Sequence, residues 1–198
     1  MLKIFFRTIS ILLHPVWYVF YLTVYLYFNT PLFYHYRGVR SFYLLCSVVL
    51  INTVLLPVIF TFLTQKDLYL ESKEKRPFIY VVTAFFYLLF LFLSGKFALP
   101  SLLIFYLRFS ILSLIFLLLL NFRMKASLHL AGSGSILAIL LFLASQNPQI
   151  HGISLIIWIV LCGISASGRL YLQQHSLKEI IWGFLAGFLP LLTLFFLI

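Results

Sequence analysis

Long apolar runs alternate with short polar breaks along the whole of this chain. Seven runs stand out, at about 9–29, 42–64, 78–94, 99–122, 127–146, 152–168 and 179–198. They approach or reach the roughly 20 residues that a helix needs to cross the hydrocarbon core of a bilayer. The breaks carry turn chemistry. Asn29-Thr30-Pro31 closes the first run, Gly95-Lys96 divides the third from the fourth, and Gln146-Asn147-Pro148 divides the fifth from the sixth. The breaks at Gly95-Lys96 and Gln146-Asn147-Pro148 are short enough to predict antiparallel hairpins. Pro57 and Pro190 fall inside runs, where the missing amide N–H predicts kinks. The pattern predicts an all-α fold: a polytopic transmembrane helix bundle of about seven crossings, forming one integral membrane domain over residues 1–198.

Composition narrows the class. Of 198 residues, 64% are hydrophobic and only 9% charged, too little polar surface for a soluble domain. The 23 Phe and 12 Tyr suit lipid-facing and interfacial positions. A net charge of +10 raises nucleic acid as a partner. The cations, however, fall in short loops rather than on a soluble basic face. That excludes nucleic acid and favours membrane lipids and their phosphate headgroups. Cys46 and Cys162 lie inside apolar runs, with neither a metal-ligand spacing nor a disulfide framework. No metal site and no cofactor is expected. Lys3 and Arg7 precede the first run as in a signal peptide, but no small-residue cleavage site follows and His14-Pro15 interrupts the run. The expectation is a retained first membrane helix.

Three loops hold nearly all the ionisable residues: Lys66 to Pro77, Arg123 to His129, and Arg169 to Glu179. Two runs separate the first loop from the second, and two separate the second from the third. Alternating crossings therefore predict that all three loops share one membrane face. That face would carry Lys3, Arg7, Lys66, Lys73, Lys75, Arg76, Arg123, Lys125, Arg169 and Lys178, against Arg37, Arg40 and Lys96 on the other. The positive-inside rule then predicts a cytoplasmic site.

The third loop is the most informative. It reads Gly168-Arg169-Leu170-Tyr171-Leu172-Gln173-Gln174-His175-Ser176-Leu177-Lys178-Glu179. His175 and Glu179 are four apart and share a helix face. A carboxylate on one ring nitrogen fixes the tautomer and leaves the other nitrogen to attack. Arg169 offers a planar fork for phosphate oxygens. Equally, Ser176 to Glu179 is a capping box, and Glu179 serves a helix start in that reading. The second loop, Lys125-Ala126-Ser127-Leu128-His129, opens the fifth run, where free backbone N–H groups attract anions; Ser127 also fits an N-cap. The first loop ends in Lys73-Glu74-Lys75-Arg76-Pro77, with Pro77 suited to a first helical turn. Arg108 lies in the fourth run, about 22 Å from Arg123 along a helix, and is expected to pair with carbonyls or hydroxyls. His14 falls on the face of the three loops, with a packing or helix-end role expected. His35 and His151 fall on the opposite face and are assigned nothing.

Taken together, these residues resemble the type 2 phosphatidic acid phosphatase superfamily of membrane lipid phosphatases, related to acid phosphatases and vanadium haloperoxidases. That family carries K-x6-R-P, P-S-G-H and S-R-x5-H-x3-D in order. Here the third motif is Gly168-Arg169, His175 and Glu179 at intact spacing. The second keeps Ser127 and His129, with Ala126 and Leu128 in place of Pro and Gly. The first keeps Arg76-Pro77, with Tyr69 at the lysine position; Lys73, Lys75 and Lys125 are candidates for that cation. The ordered motifs span about 66–190, and the resemblance implies a six-helix phosphatase-like core. It implies His175 as nucleophile through a phosphohistidine, Glu179 orienting it, and His129 protonating the leaving alkoxide. Arg76, Arg169 and Ser127, with Lys125 and Lys73, would bind phosphoryl oxygens. The expected activity is metal-independent hydrolysis of a lipid phosphomonoester or diphosphate by an integral protein of the bacterial inner membrane. The alternative is a non-catalytic binder or transporter of a phosphorylated lipid on the same fold.

Overall fold

A computed structural model describes residues 1–36, 38–65, 74–97 and 99–197. Every regular element among them is helical. Lys66, Asp67, Glu71 and Lys73 lie outside the described residues. Six stretches are long and apolar enough to cross a membrane: Leu2–Asn29, Arg40–Thr64, Arg76–Phe97, Ser101–Asn121, Leu128–Gln146 and Pro148–Tyr171. Length and composition thus mark an integral membrane protein. The seventh predicted run forms a shorter helix, Leu177–Leu192, followed by Leu194–Leu197.

The chain divides into two compact units. Residues Met1–Tyr18 with Leu119–Ile198 make the first, and Val19–Leu118 the second. In the second unit, α2 (Tyr18–Asn29, from Val19 on) is followed by α3 (Val39–Leu50) and α4 (Leu56–Gln65). Between α3 and α4 the backbone winds one π-helical turn, Ile51–Leu55. Pro57 causes it: proline has no N–H to complete the ladder, and a wider turn absorbs the mismatch. Asn52 Nδ2 donates to Val48 O at 2.8 Å, and Thr53 Oγ1 to Val49 O at 2.8 Å, so buried side chains feed the loosened ladder. Helix α5 (Arg76–Leu93) packs on α4, where Phe60 meets Phe78 and Phe86. A 3-10 turn at Ser94–Phe97 leads to α6 (Ser101–Asn121).

Arg108 departs from its expected pairing. It is exposed on α6, and no hydrogen bond or ion pair engages it among the described residues. It stands about 10 Å from the start of α6, a distance that long arginine side chains partly cover by snorkelling.

The first unit contains α1 (Leu2–Leu12), α7 (Leu128–Gln146), α8 (Pro148–Tyr171), α9 (Leu177–Leu192) and α10 (Leu194–Leu197). Asn147 joins α7 to α8, its Oδ1 accepting the Ile150 N–H at 3.3 Å. This is the predicted hairpin. It brings the start of α7 to the same end as the finish of α8. Helix α7 is the core of the unit, while α8 turns Ile153, Ile156, Ile157 and Val160 outward as a lipid-facing surface does. Helix α9 lies against α7 through glycines. A Cβ on Gly187 would stand 1.8 Å from Ala131 O, and one on Gly183 would stand 2.4 Å from Ser127 O. Only a bare backbone fits there. Helix α9 runs through Pro190 and ends two residues later.

The first predicted run is broken rather than continuous. After α1 come Leu13 and His14, then a 3-10 turn at Pro15–Trp17, then α2. His14 is extended (ψ 134°), and its ring Nδ1 accepts the Val16 N–H at 3.4 Å. The residue before a proline disfavours helical backbone, so the break falls there.

Candidate functional site

Two helix caps build the loop between α8 and α9. At the end of α8, Leu172 N–H donates to Gly168 O at 2.9 Å, Gln173 N–H to Leu170 O at 2.9 Å, and Gln174 N–H to Arg169 O at 3.1 Å. This is a Schellman termination. Its reversing residue is Gln173, with φ 53°, where glycine is usual. The turn folds Gln174 back over Arg169, and Arg169 Nη1 donates to Gln174 Oε1. The guanidinium is thereby held by its own helix end.

At the start of α9 the capping box is complete. Ser176 Oγ accepts the Glu179 N–H at 3.4 Å, and Glu179 Oε2 accepts the Ser176 N–H at 2.8 Å. Besides capping the helix, Glu179 Oε2 lies 3.4 Å from His175 Nδ1. Its Oε1 accepts the Lys125 N–H at 3.2 Å. Burial alone would raise this carboxyl. The Ser176 amide, the His175 charge and the Lys125 amide outweigh burial and hold it below its ordinary value.

His175 is buried, and Nδ1 lies 3.0 Å from the Lys125 carbonyl, nearer than the carboxylate. Both neighbours of Nδ1 are acceptors, so the neutral ring carries its proton there and its lone pair on Nε2. The partner that fixes this tautomer is chiefly a backbone carbonyl. The Lys125 backbone thus clamps Glu179 with its N–H and His175 with its C=O.

Ser127 precedes α7. Its N–H donates to Glu179 O at 2.9 Å, which ties α7 to α9. It occupies the N-cap position, but its side chain makes no capping bond. Ser127 Oγ is fully buried and has no hydrogen-bond partner among the described residues. A buried orphan hydroxyl is unfavourable by roughly 1–3 kcal/mol. Its position beside the free amides of a helix start is where an anion would satisfy it.

Two turns of chemistry meet at His129. Arg169 Nη2 lies 2.5 Å from His129 Nε2, and Ser10 O of α1 lies 3.1 Å from the same nitrogen. A guanidinium only donates and a carbonyl only accepts. The two contacts therefore belong to different states of Nε2: bare when it accepts from Arg169, protonated when it donates to Ser10 O. Helix α1 closes this end further. Phe6 packs on Tyr171, and a Cβ on Gly168 would meet the Phe6 ring at 2.9 Å. Phe6 occupies the space that a serine at 168 would use.

The first unit thus brings together Lys125, Ser127, His129, Arg169, His175 and Glu179. Arg76 belongs to the second unit, where it is buried at the start of α5 and hydrogen-bonded to Tyr80. Sequence reasoning missed Gln174, the Ser10 carbonyl and the α7–α9 glycines. The glycines had a readable signal, Gly183-x-x-x-Gly187; Gln174 and Ser10 had none. No family model, no characterised protein and no solved structure matches this chain.

Proposed function

We propose that the protein is an integral membrane phosphatase acting on a lipid phosphate through a phosphohistidine. The observation that carries this reading is the cluster of His129, Arg169 and His175 around the start of α7, next to the orphaned, buried Ser127 hydroxyl. Two potential phosphate ligands, Arg169 and Ser127, and two histidines in distinct roles meet where a helix start favours an anion.

Chemically, His175 Nε2 attacks phosphorus with its lone pair while Nδ1–H stays on the Lys125 carbonyl. An N–P bond forms and the bond from phosphorus to the lipid oxygen breaks. His129, as imidazolium, gives its Nε2 proton to the leaving lipid oxygen. Neutral His129 then takes a proton from water. The hydroxide attacks phosphorus, the N–P bond breaks, and phosphate leaves with His175 restored. Arg169 rotates its fork from His129 onto the phosphoryl oxygens, which frees Nε2 for the leaving group. The Glu179 carboxylate steadies the cationic phosphohistidine. Arg76 and Lys73 enter the phosphate-binding set only through the sequence motif. The cation count favours a site on the cytoplasmic face of the membrane.

One observation favours the non-catalytic alternative. Arg169 and the Ser10 carbonyl already engage His129 Nε2, as in a receptor that uses its cations to bind. The deciding experiment is phosphate release from lipid phosphates in detergent with EDTA present. Wild type should turn over, and His175→Ala should lose at least about 10³-fold, because no neighbour replaces the nucleophile. Comparable activity in His175→Ala overturns the mechanism. Binding without release by wild type selects the alternative.

A further inference from the structure

The break between α1 and α2 brings a third histidine to the site. His14 and His129 stand edge to face with ring centroids 5.0 Å apart. The placement is built rather than incidental. Tyr18 OH donates to Leu13 O at 2.8 Å and pairs with Ser133 Oγ of α7 at 2.9 Å. The Tyr18 ring lies over Gly132, where a Cβ would meet it at 2.0 Å. The carbonyl before His14 is thereby fastened to the helix that carries His129.

The tautomer of His14 follows from its backbone. Nδ1 accepts the Val16 N–H at 3.4 Å, so in the neutral ring the proton is on Nε2. His14 is exposed. No hydrogen bond engages its Nε2 among the described residues. An N–H donor beside His129, the ring that the Arg169 guanidinium meets, is a place for an anionic oxygen.

We infer that His14 is a substrate-binding residue that donates its Nε2–H to an oxygen on the leaving side of a phosphate ester, next to His129. This rests on the phosphatase reading and extends it. The motif residues hold the transferred phosphoryl group, and His14 holds the part that departs. The competing role is structural, since His14 caps the Pro15–Trp17 turn through Nδ1.

Two substitutions separate the roles. In His14→Asn, Oδ1 replaces Nδ1 as the cap acceptor, and the Nε2 donor is lost. In His14→Gln, the side-chain amide replaces the Nε2 donor at its greater reach, and the cap is lost. The experiment measures phosphate release from phosphatidic acid in detergent micelles, together with thermal stabilisation by inorganic phosphate. With turnover in wild type, His14→Asn should lose about 10-fold or more in kcat/KM, in keeping with one charge-assisted hydrogen bond of about 1.5 kcal/mol. His14→Gln should keep activity within about 3-fold of wild type, a difference of under about 1 kcal/mol. The reverse order, equal losses, or no loss in His14→Asn overturns the inference while leaving the phosphatase reading intact. If wild type releases no phosphate, the phosphatase reading fails, and the phosphate-induced shift is compared across the same variants. A shift kept in His14→Gln and lost in His14→Asn supports the donor; any other pattern, including no shift in wild type, overturns it.

Discussion

Gly183→Ala tests whether the contact between α7 and α9 sets the site. A Cβ at 183 would lie 2.4 Å from Ser127 O, 2.8 Å from Ser127 N and 3.0 Å from Ser127 C. Ordinary contact begins near 3.4 Å, so the two backbones must part by about 1 Å. Ser127 cannot yield alone. Its O accepts the Ala131 N–H at 3.0 Å, and its N–H is held by Glu179 O at 2.9 Å. Helix α9 must therefore shift and carry His175 and Glu179 with it. Overpacking of this kind costs about 1–3 kcal/mol, and a displacement of 1 Å at reacting groups can cost about 10²-fold in rate. Gly163→Ala is the matched control. Gly163 lies inside α8 with nothing within 4 Å of an added Cβ. There the same methyl removes only the conformational cost of glycine, a gain of up to ~1 kcal/mol. The assay is thermal unfolding in detergent beside phosphate release. Gly183→Ala should melt several degrees below wild type, and Gly163→Ala at or above it. At roughly 2–4 °C per kcal/mol for a chain of this size, the two should differ by about 2 °C or more. Equal melting temperatures would refute the argument, as would full activity in a Gly183→Ala protein of lowered stability.

Two further predictions follow from the caps. Gln173→Gly should stabilise the protein by about 0.5–1 kcal/mol, because glycine adopts the left-handed Schellman position without the side-chain penalty; a lower melting temperature would show that the Gln173 side chain matters more than its backbone. Glu179 should make stability fall on acidification. Its carboxyl is lowered on folding from a value of 4.5, so its contribution is full above that value and is lost as pH falls through the lowered one. Glu179→Gln should flatten that acid limb, and an unchanged limb in Glu179→Gln would assign the acid sensitivity elsewhere.

The parts of this protein that were legible in its sequence are those governed by local rules. Apolar run length located the helices, because a bilayer admits little else. Asn147-Pro148 marked the α7–α8 hairpin, and Ser176-x-x-Glu179 marked the start of α9. Once the hairpin is granted, the loop before α7 must meet the loop after α8. That is why Ser127, His129, Arg169 and His175, up to 48 positions apart in the chain, occupy one end of one unit. Pro57 was read as a kink and is found beside a π turn, a different answer to the same missing N–H. The break at His14-Pro15 was read only as an interruption of the first run, not as two helices with a turn between.

What stayed hidden was carried by backbone atoms. The Lys125 residue was weighed for its ammonium, yet its amide and carbonyl hold Glu179 and His175. Ser10 reaches His129 through its carbonyl, which any residue would offer. Sequence motifs record side chains, so a contact made by a peptide group leaves no trace in residue identity. Gln174 and Gly183 lie between these extremes. Gln174 is a polar side chain whose use depends on the left-handed residue before it, and nothing about Gln173 announces that conformation. Gly183 matters for an atom it lacks. The site therefore rests on two kinds of position: side chains that define the chemistry, and peptide groups that fix where those side chains stand. Substitutions at the second kind should move geometry without changing the inventory of functional groups. That makes Gly183→Ala a sharper test of this arrangement than deleting another ionisable residue.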